Sequence, residues 1–318
     1  MKRRLINQIF AIVAAVSMIT QIPALAVAAP EKSDARNSVS DDLVDYMDDF
    51  EKVADTIDDA DKSFDKGVDE SDDGDEKAAI KEFQKSYKKF QKADESLDDL
   101  DAPKSAKNID DMTSEMLDKY KKGTKMMVKA EKSDDGEKAD EAKADEAIEI
   151  MNEGVELEDK VVASFDASIL LDEASSEDSN EAKIAGYVAA IQEAPDGPIA
   201  DQAKVEINNI ANKYVNSIGA DIATANTTIA ELDRIPEGAE FTAPEIFGNS
   251  DELGRIAGTL AANPNTADLA AIFNKLAEAD NSGSSIFAPN QVDPVIAKKQ
   301  RDTTQRLLDE AKTLIGQG

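Results

Sequence analysis

Carboxylates are the reactive groups this chain holds in quantity: 67 Asp and Glu stand against 36 Lys and Arg in 318 residues, a net charge of −31, with no Cys and no His. The missing residue types exclude disulfides, thiolate and imidazole nucleophiles, Ser-His and Cys-His catalysis, and the usual zinc ligand sets. Paired carboxylates remain available for acid–base work. They are so dense, however, that some pair must sit at glycosidase separation whatever the fold, which empties that signal of meaning. A phosphate-binding Gly loop, a Gly-x-Ser-x-Gly elbow and a dinucleotide fingerprint are all absent from the sequence. The expectation is a protein that is not an enzyme and uses no cofactor.

Oxygen ligands for a hard cation come nearest to a pattern at Asp69-x-Ser71-x-Asp73-Gly74, which resembles the first half of an EF-hand calcium loop. The twelfth position is Ile80 where a bidentate Glu belongs, and the eighth is Glu76 where an apolar residue is usual. The turn recurs as Ser133-Asp134-Asp135-Gly136, with Glu131 in place of the leading Asp. Gly takes φ > 0 at a helix C-terminus, and Ser or Asp accepts from the free N–H groups that open the next helix. Both copies therefore read as a helix stop followed by a helix start, with at most weak divalent-cation association.

Two lysine clusters interleave with aromatics: Lys85, Tyr87, Lys88, Lys89, Phe90 and Lys92, then Lys119, Tyr120, Lys121, Lys122, Lys125 and Lys129. Helical phase puts the aromatics in a core and the lysines on its flanks, so the clusters are not a nucleic-acid platform, and the net charge repels a polyanion. Counting outward from the turns places Asp55, Asp58 and Asp59 opposite Lys85, Lys88 and Lys89, and Lys122 and Lys125 opposite Asp145 and Glu149.

These groups need helices to hold them. Apolar residues recur at three-and-four spacing through Leu43, Met47, Phe50, Ala54, Ile57, Phe64 and Val68, and through Ile80, Phe83, Tyr87, Phe90, Ala93, Leu97 and Leu100. The pattern continues through Ile109, Met112, Met116, Tyr120, Met127 and Ala130, then through Ala144, Ile148, Met151, Val155, Val162 and Phe165. With two turns of one kind, the stripes predict two α-hairpins forming an acidic four-helix bundle over residues 40–174. The Met residues of the third stripe read as core packing.

A polar cluster at 175–180 marks a domain boundary, and residues 181–318 read as a second, mostly helical domain. Its longest stripe runs from Ile199 to Leu232 before Pro236-Glu237-Gly238. Loops are expected at 236–250 and 280–291, and Asp293 with Pro294 caps a last helix. The whole is an all-α protein. The first loop carries Phe241, Pro244, Ile246 and Phe247 where no helical stripe claims them, which makes them the candidate partner-binding residues, with Phe287 beside them. Their other reading is a plug over the end of the long helix.

Residues 1–28 have the charged start, apolar centre and small-residue cleavage region of a secretory signal, and 29–39 read as a flexible N-terminus. Placement is thus secreted, periplasmic or at the cell envelope, with no stable membrane insertion after cleavage. The expected function is non-catalytic: protein–protein binding or scaffolding with a partner of unknown identity. Two alternatives are an acidic protein that responds to divalent cations and, disfavoured because no mature segment joins an apolar run to a basic face, a membrane-active helical protein.

Overall fold

A computed structural model describes residues 41–103, 106–132, 137–232, 234–235, 241–287 and 293–316. The segments expected to be a signal and a flexible N-terminus, the second acidic turn at 133–136 and the Pro236-Glu237-Gly238 stop lie outside the described residues. Within them the protein is all-helical: α1 (Asp41–Asp72), α2 (Glu76–Asp98), α3 (Lys107–Glu131), α4 (Glu137–Ser176), α5 (Asn180–Glu193), α6 (Pro198–Leu232), α7 (Ser250–Ala261), α8 (Ala267–Ser284) and α9 (Pro294–Ile315). The chain divides into two compact units between Asp172 and Glu173. No described helix is long and apolar enough to cross a membrane.

The first acidic turn closes through its own backbone. Gly74, at φ 83°, donates its N–H to Ser71 O (3.0 Å), and Asp75 N–H reaches Glu70 O at 2.8 Å, the two bonds that satisfy the last carbonyls of a helix. The Asp75 carboxylate then accepts from Ala78 N at 3.0 Å and opens α2. One residue ends one helix and starts the next, so α1 and α2 must run antiparallel.

In the first unit α1 packs on α2 and α2 on α3. Helix α4 meets α3 where Tyr120 lies against Gly154, and meets α1 where Phe165 stands edge-on to Phe50 at 4.7 Å. Leu43, Phe50, Ile57, Phe83, Phe90, Ile109, Met116, Tyr120, Met151 and Phe165 share one core. Its helical phase corrects the sequence reading on each helix: on α1, α2 and α3, Met47, Ile80 and Met112 are only half-buried beside buried Tyr46, Ala79 and Thr113, and the shift is plain further along α2 and α4. Tyr87 is only half-buried, and Ser86 takes the core position; on α4, Gly154, Glu158 and Val161 are buried while Val155 and Val162 are half-exposed. The reason on α4 is steric: a Cβ at Gly154 would stand 2.6 Å from Tyr120 Cε1, so only Gly lets that ring lie against the helix.

The ion pairs are also fewer across helices than counting from the turns implies. Lys89 stands opposite Asp59 as expected, 3.9 Å from its carboxylate while donating to its backbone carbonyl at 2.7 Å, but Lys85 turns to Glu82 on its own helix (2.6 Å), and α3 is tied to α4 by Lys119 and Glu153. The most enclosed of these links is Lys121 to Asp94 at 2.6 Å, joining α3 to α2. Salt bridges this close to solvent contribute ~0–1 kcal/mol each, so they bias register more than they hold the fold.

In the second unit the buried stripe of α6, including Ile207, Ile210, Tyr214, Ile218 and Ile222, is met by α5, α8 and α9, while α7 packs on α5 and α8. Ser179 caps α5 and Asp293 caps α9, the latter as the sequence predicts. Helix α8 runs on to Ser284, so the expected loop at 280–291 starts later. Packing explains the extension: Asp280 and Gly283 are buried against the loop that precedes α7.

Glycine substitutions separate packing from propensity. Gly154→Ala drives a methyl into the Tyr120 ring and should cost ~1–3 kcal/mol, more than the gain in helix propensity. Gly254→Ala and Gly258→Ala meet nothing within 4 Å on α7 and should stabilise by ~0.5–1 kcal/mol each. Urea unfolding of the three variants checks the order; a Gly154→Ala chain as stable as the parent would contradict the Tyr120 packing.

Candidate functional site

A cavity of about 310 Å³ on the first unit's surface lies between the start of α1 and the segment after α2, lined by Asp42, Asp45, Tyr46, Asp49, Leu100, Asp101, Ala102 and Pro103. Spacing on α1 makes this possible. Asp42, Asp45 and Asp49 recur at three and four residues and so share one face, and Tyr46 points from the same turn into the core, where it is 3% exposed. Pro103 ends the chain's run from α2, which brings Asp101 back over that face. The floor is apolar and the rim is four carboxylates.

Behind the floor, Tyr46 OH donates to Asp110 Oδ1 at 3.3 Å. Burial pushes the Tyr46 phenol far above its ordinary value, the nearby Asp110 charge adding to this, so Tyr46 stays a neutral donor. Asp110 is also raised, by desolvation first and despite the Tyr46 bond. Among the described residues no group of three or more carboxylates is arranged to hold a metal ion. The pocket offers negative charge over an apolar base.

The four loop residues nominated from sequence differ in burial. Phe247 is 6% exposed, and a Cβ on Gly283 would fall 2.3 Å from its ring, so the ring sits directly on α8. Its backbone takes φ 61°, unusual for a residue with a side chain, and its N–H donates to Asp221 Oδ2 on α6 at 3.2 Å. Two residues on, the Asn249 N–H donates to Asp280 Oδ2 at 2.8 Å, so a carboxylate from α8 serves the N-terminus of α7, whose own cap residue makes no side-chain bond to the helix's free N–H groups. Phe247 is thus buried against α8, which fits the plug reading of this residue rather than the exposed contact. Phe241, Pro244 and Ile246 stay half-exposed, and Phe241 pairs with Phe287 at 5.8 Å between centroids.

Sequence reasoning passed over the pocket, although one of its two parts was legible: three aspartates on one helical face beside an aromatic. Comparison with protein-family models, with curated proteins and with solved structures finds no match to this chain.

Phe247→Ala should lower stability by ~3–5 kcal/mol, as for a large side chain lost from a core, whereas Phe241→Ser should change it by less than ~1 kcal/mol. Thermal unfolding of the two variants decides; equal midpoints would show that Phe247 does not anchor the loop.

Proposed function

We propose that this protein is a non-catalytic binding protein acting outside the cytoplasm, and that its acidic pocket receives a lysine or arginine side chain of a protein partner. The observation that carries the reading is the lining itself: of eight residues, four are carboxylates, none is basic, and Tyr46, Leu100, Ala102 and Pro103 form the base. A long basic side chain matches that division, with its methylene stem on the apolar base and its charge at the rim. A net charge of −31 would speed the approach of such a partner and make it depend on salt.

The contacts of α1 with α2, α2 with α3, α3 with α4 and α4 with α1 support a four-helix bundle as the rigid support for the pocket, and residues 40–174 and 181–318 serve as two domains in this reading. Export rests on the signal-like residues 1–28. The half-exposed Phe241 and Phe287, with Pro244 and Ile246, supply a second, apolar contact in the other domain.

Calorimetry with a lysine-rich peptide tests the pocket. Replacing Asp45, Asp49 and Asp101 together by Asn should weaken binding by about tenfold or more, since each rim charge acts at close range. Replacing the exposed Glu95, Glu115 and Glu149 by Gln removes the same charge from elsewhere on the first unit and should weaken it by less than about threefold. Equal losses in both triple variants would show that binding follows net charge and that the pocket is not its site.

A further inference from the structure

Among the described residues, large apolar side chains stand exposed at three positions: Val205 on α6 (56%), and Val295 (73%) and Ile296 (42%) in the first turn of α9. Their surroundings on the helix differ. The residues three and four away from Val205 are Asp201, Gln202, Asn208 and Asn209, none of them basic. Lys298 and Lys299 follow Val295 by three and four, and Lys299 follows Ile296 by three, so α9 opens with two apolar side chains and two ammonium groups on one face.

The fold of the second unit leaves that face open. Lys275 pairs with Glu310 at 3.3 Å and Gln300 donates to Ser282 O at 3.2 Å, so α9 runs antiparallel to α8 and its first turn lies beyond Ser284, where α8 ends. Arg301 bonds Asn226 and Leu308 lies over Gly219, which sets the same turn level with the end of α6 at Leu232. The carboxylates beside it are engaged: Asp293 accepts from Val295 N at 2.8 Å, and Asp302 pairs with Arg301 at 2.7 Å. Lys299 makes no ion pair among the described residues.

The acidic pocket of the first unit has the opposite division. Tyr46, Leu100, Ala102 and Pro103 form its base. Of its rim carboxylates, Asp49 is taken by Lys52 at 2.7 Å, while Asp42, Asp45 and Asp101 make no ion pair among the described residues. A lysine flanked by two branched apolar side chains matches this lining, with its ammonium at the rim and the methyl groups on the base.

We propose that the pocket's partner is a second copy of this chain: the first turn of α9 in one copy docks in the acidic pocket of the next, Lys299 meeting the rim while Val295 and Ile296 cover the base. This rests on the reading of the pocket as a site for a basic side chain. The two faces are different surfaces, so the contact is heterologous, and each added copy brings one free pocket and one free α9 face; copies therefore join head to tail. Charge selects the contact. Copies of net charge −31 repel wherever acid meets acid, but at 0.15 M salt that repulsion is screened beyond about 8 Å, so a junction that sets base against acid is favoured at close range. With eight lining residues, against about 20–30 on each side of a standard interface, the contact is weak and association is expected at about 0.1–1 mM.

Sedimentation of the full chain in 0.15 M sodium chloride, from about 10 μM to about 1 mM, should show a mass that rises with concentration. Two variants, each altered at exposed side chains, should move that rise to concentrations about tenfold higher or more: Val295→Ser with Lys299→Gln, and Asp45, Asp49 and Asp101 together to Asn. Lys213→Gln, exposed on α6, removes one positive charge elsewhere on the second unit and should move it by less than about threefold. Mixed together, the α9 variant and the pocket variant should form one-to-one pairs and nothing larger, because between them they hold one intact pocket and one intact α9 face. A chain that stays monomeric while still binding lysine-rich peptide at the pocket overturns this inference and leaves the pocket's own reading standing; a chain that binds neither itself nor the peptide removes both. Association unchanged in either variant, or a mixture that grows beyond pairs, would also overturn it.

Discussion

Helix-on-helix burial of narrow apolar stripes is the interaction on which the rest of this protein depends, because it must overcome the self-repulsion of a chain with a net charge of −31. Charge does not oppose the stripes directly: carboxylates and lysines occupy the outer faces, where water screens them, and Ala, Ile, Leu and Phe fill the inner ones. With few aromatics, the first unit concentrates them where helices cross. Phe50 and Phe165 join α1 to α4, Phe64 and Phe83 join α1 to α2, and Phe90 and Tyr120 join α2 to α3. Each pair buries a large area at one point and so sets register as well as stability.

Close packing then decides where polar groups can go. Gly67, Gly123 and Gly154 sit where a Cβ would strike Phe83, Met151 and Tyr120, so these helices approach nearer than ordinary side chains permit. Tyr120 lies flat against α4 and reaches Glu158. A carboxylate that would otherwise be a defect in the stripe becomes half of a hydrogen-bonded pair.

The second unit solves a different problem, that of seating a loop without a regular ladder. Its anchors are one ring and two carboxylates: Phe247 on Gly283, Asp221 on the Phe247 N–H, and Asp280 on the Asn249 N–H. Burial raises the Asp280 carboxyl even though the N–H groups of Asn249 and Ser250 pull it down, so the α7 terminus is served by a group held partly against its own preference for charge. Such a positive-φ phenylalanine persists because the ring, the amide and the helix beneath it all fix the same conformation.

Sequence by itself determined the helices, their caps and most of their inner faces. Asp75, Ser179 and Asp293 cap the helices they precede, Gly74 ends α1, and the three-and-four spacing identifies Phe50, Ile57, Phe83, Phe90 and Phe165 as core, because caps and amphipathic period act within a few residues of chain. Only the tertiary structure decided that residues 42–49 and 100–103 close one acidic pocket, and that Asp280 serves a helix whose start lies thirty-one residues away. Periodicity fixes which face a residue takes; which residue stands across from it depends on the summed volumes of rings and glycines along two helices, a quantity no local stretch of sequence contains.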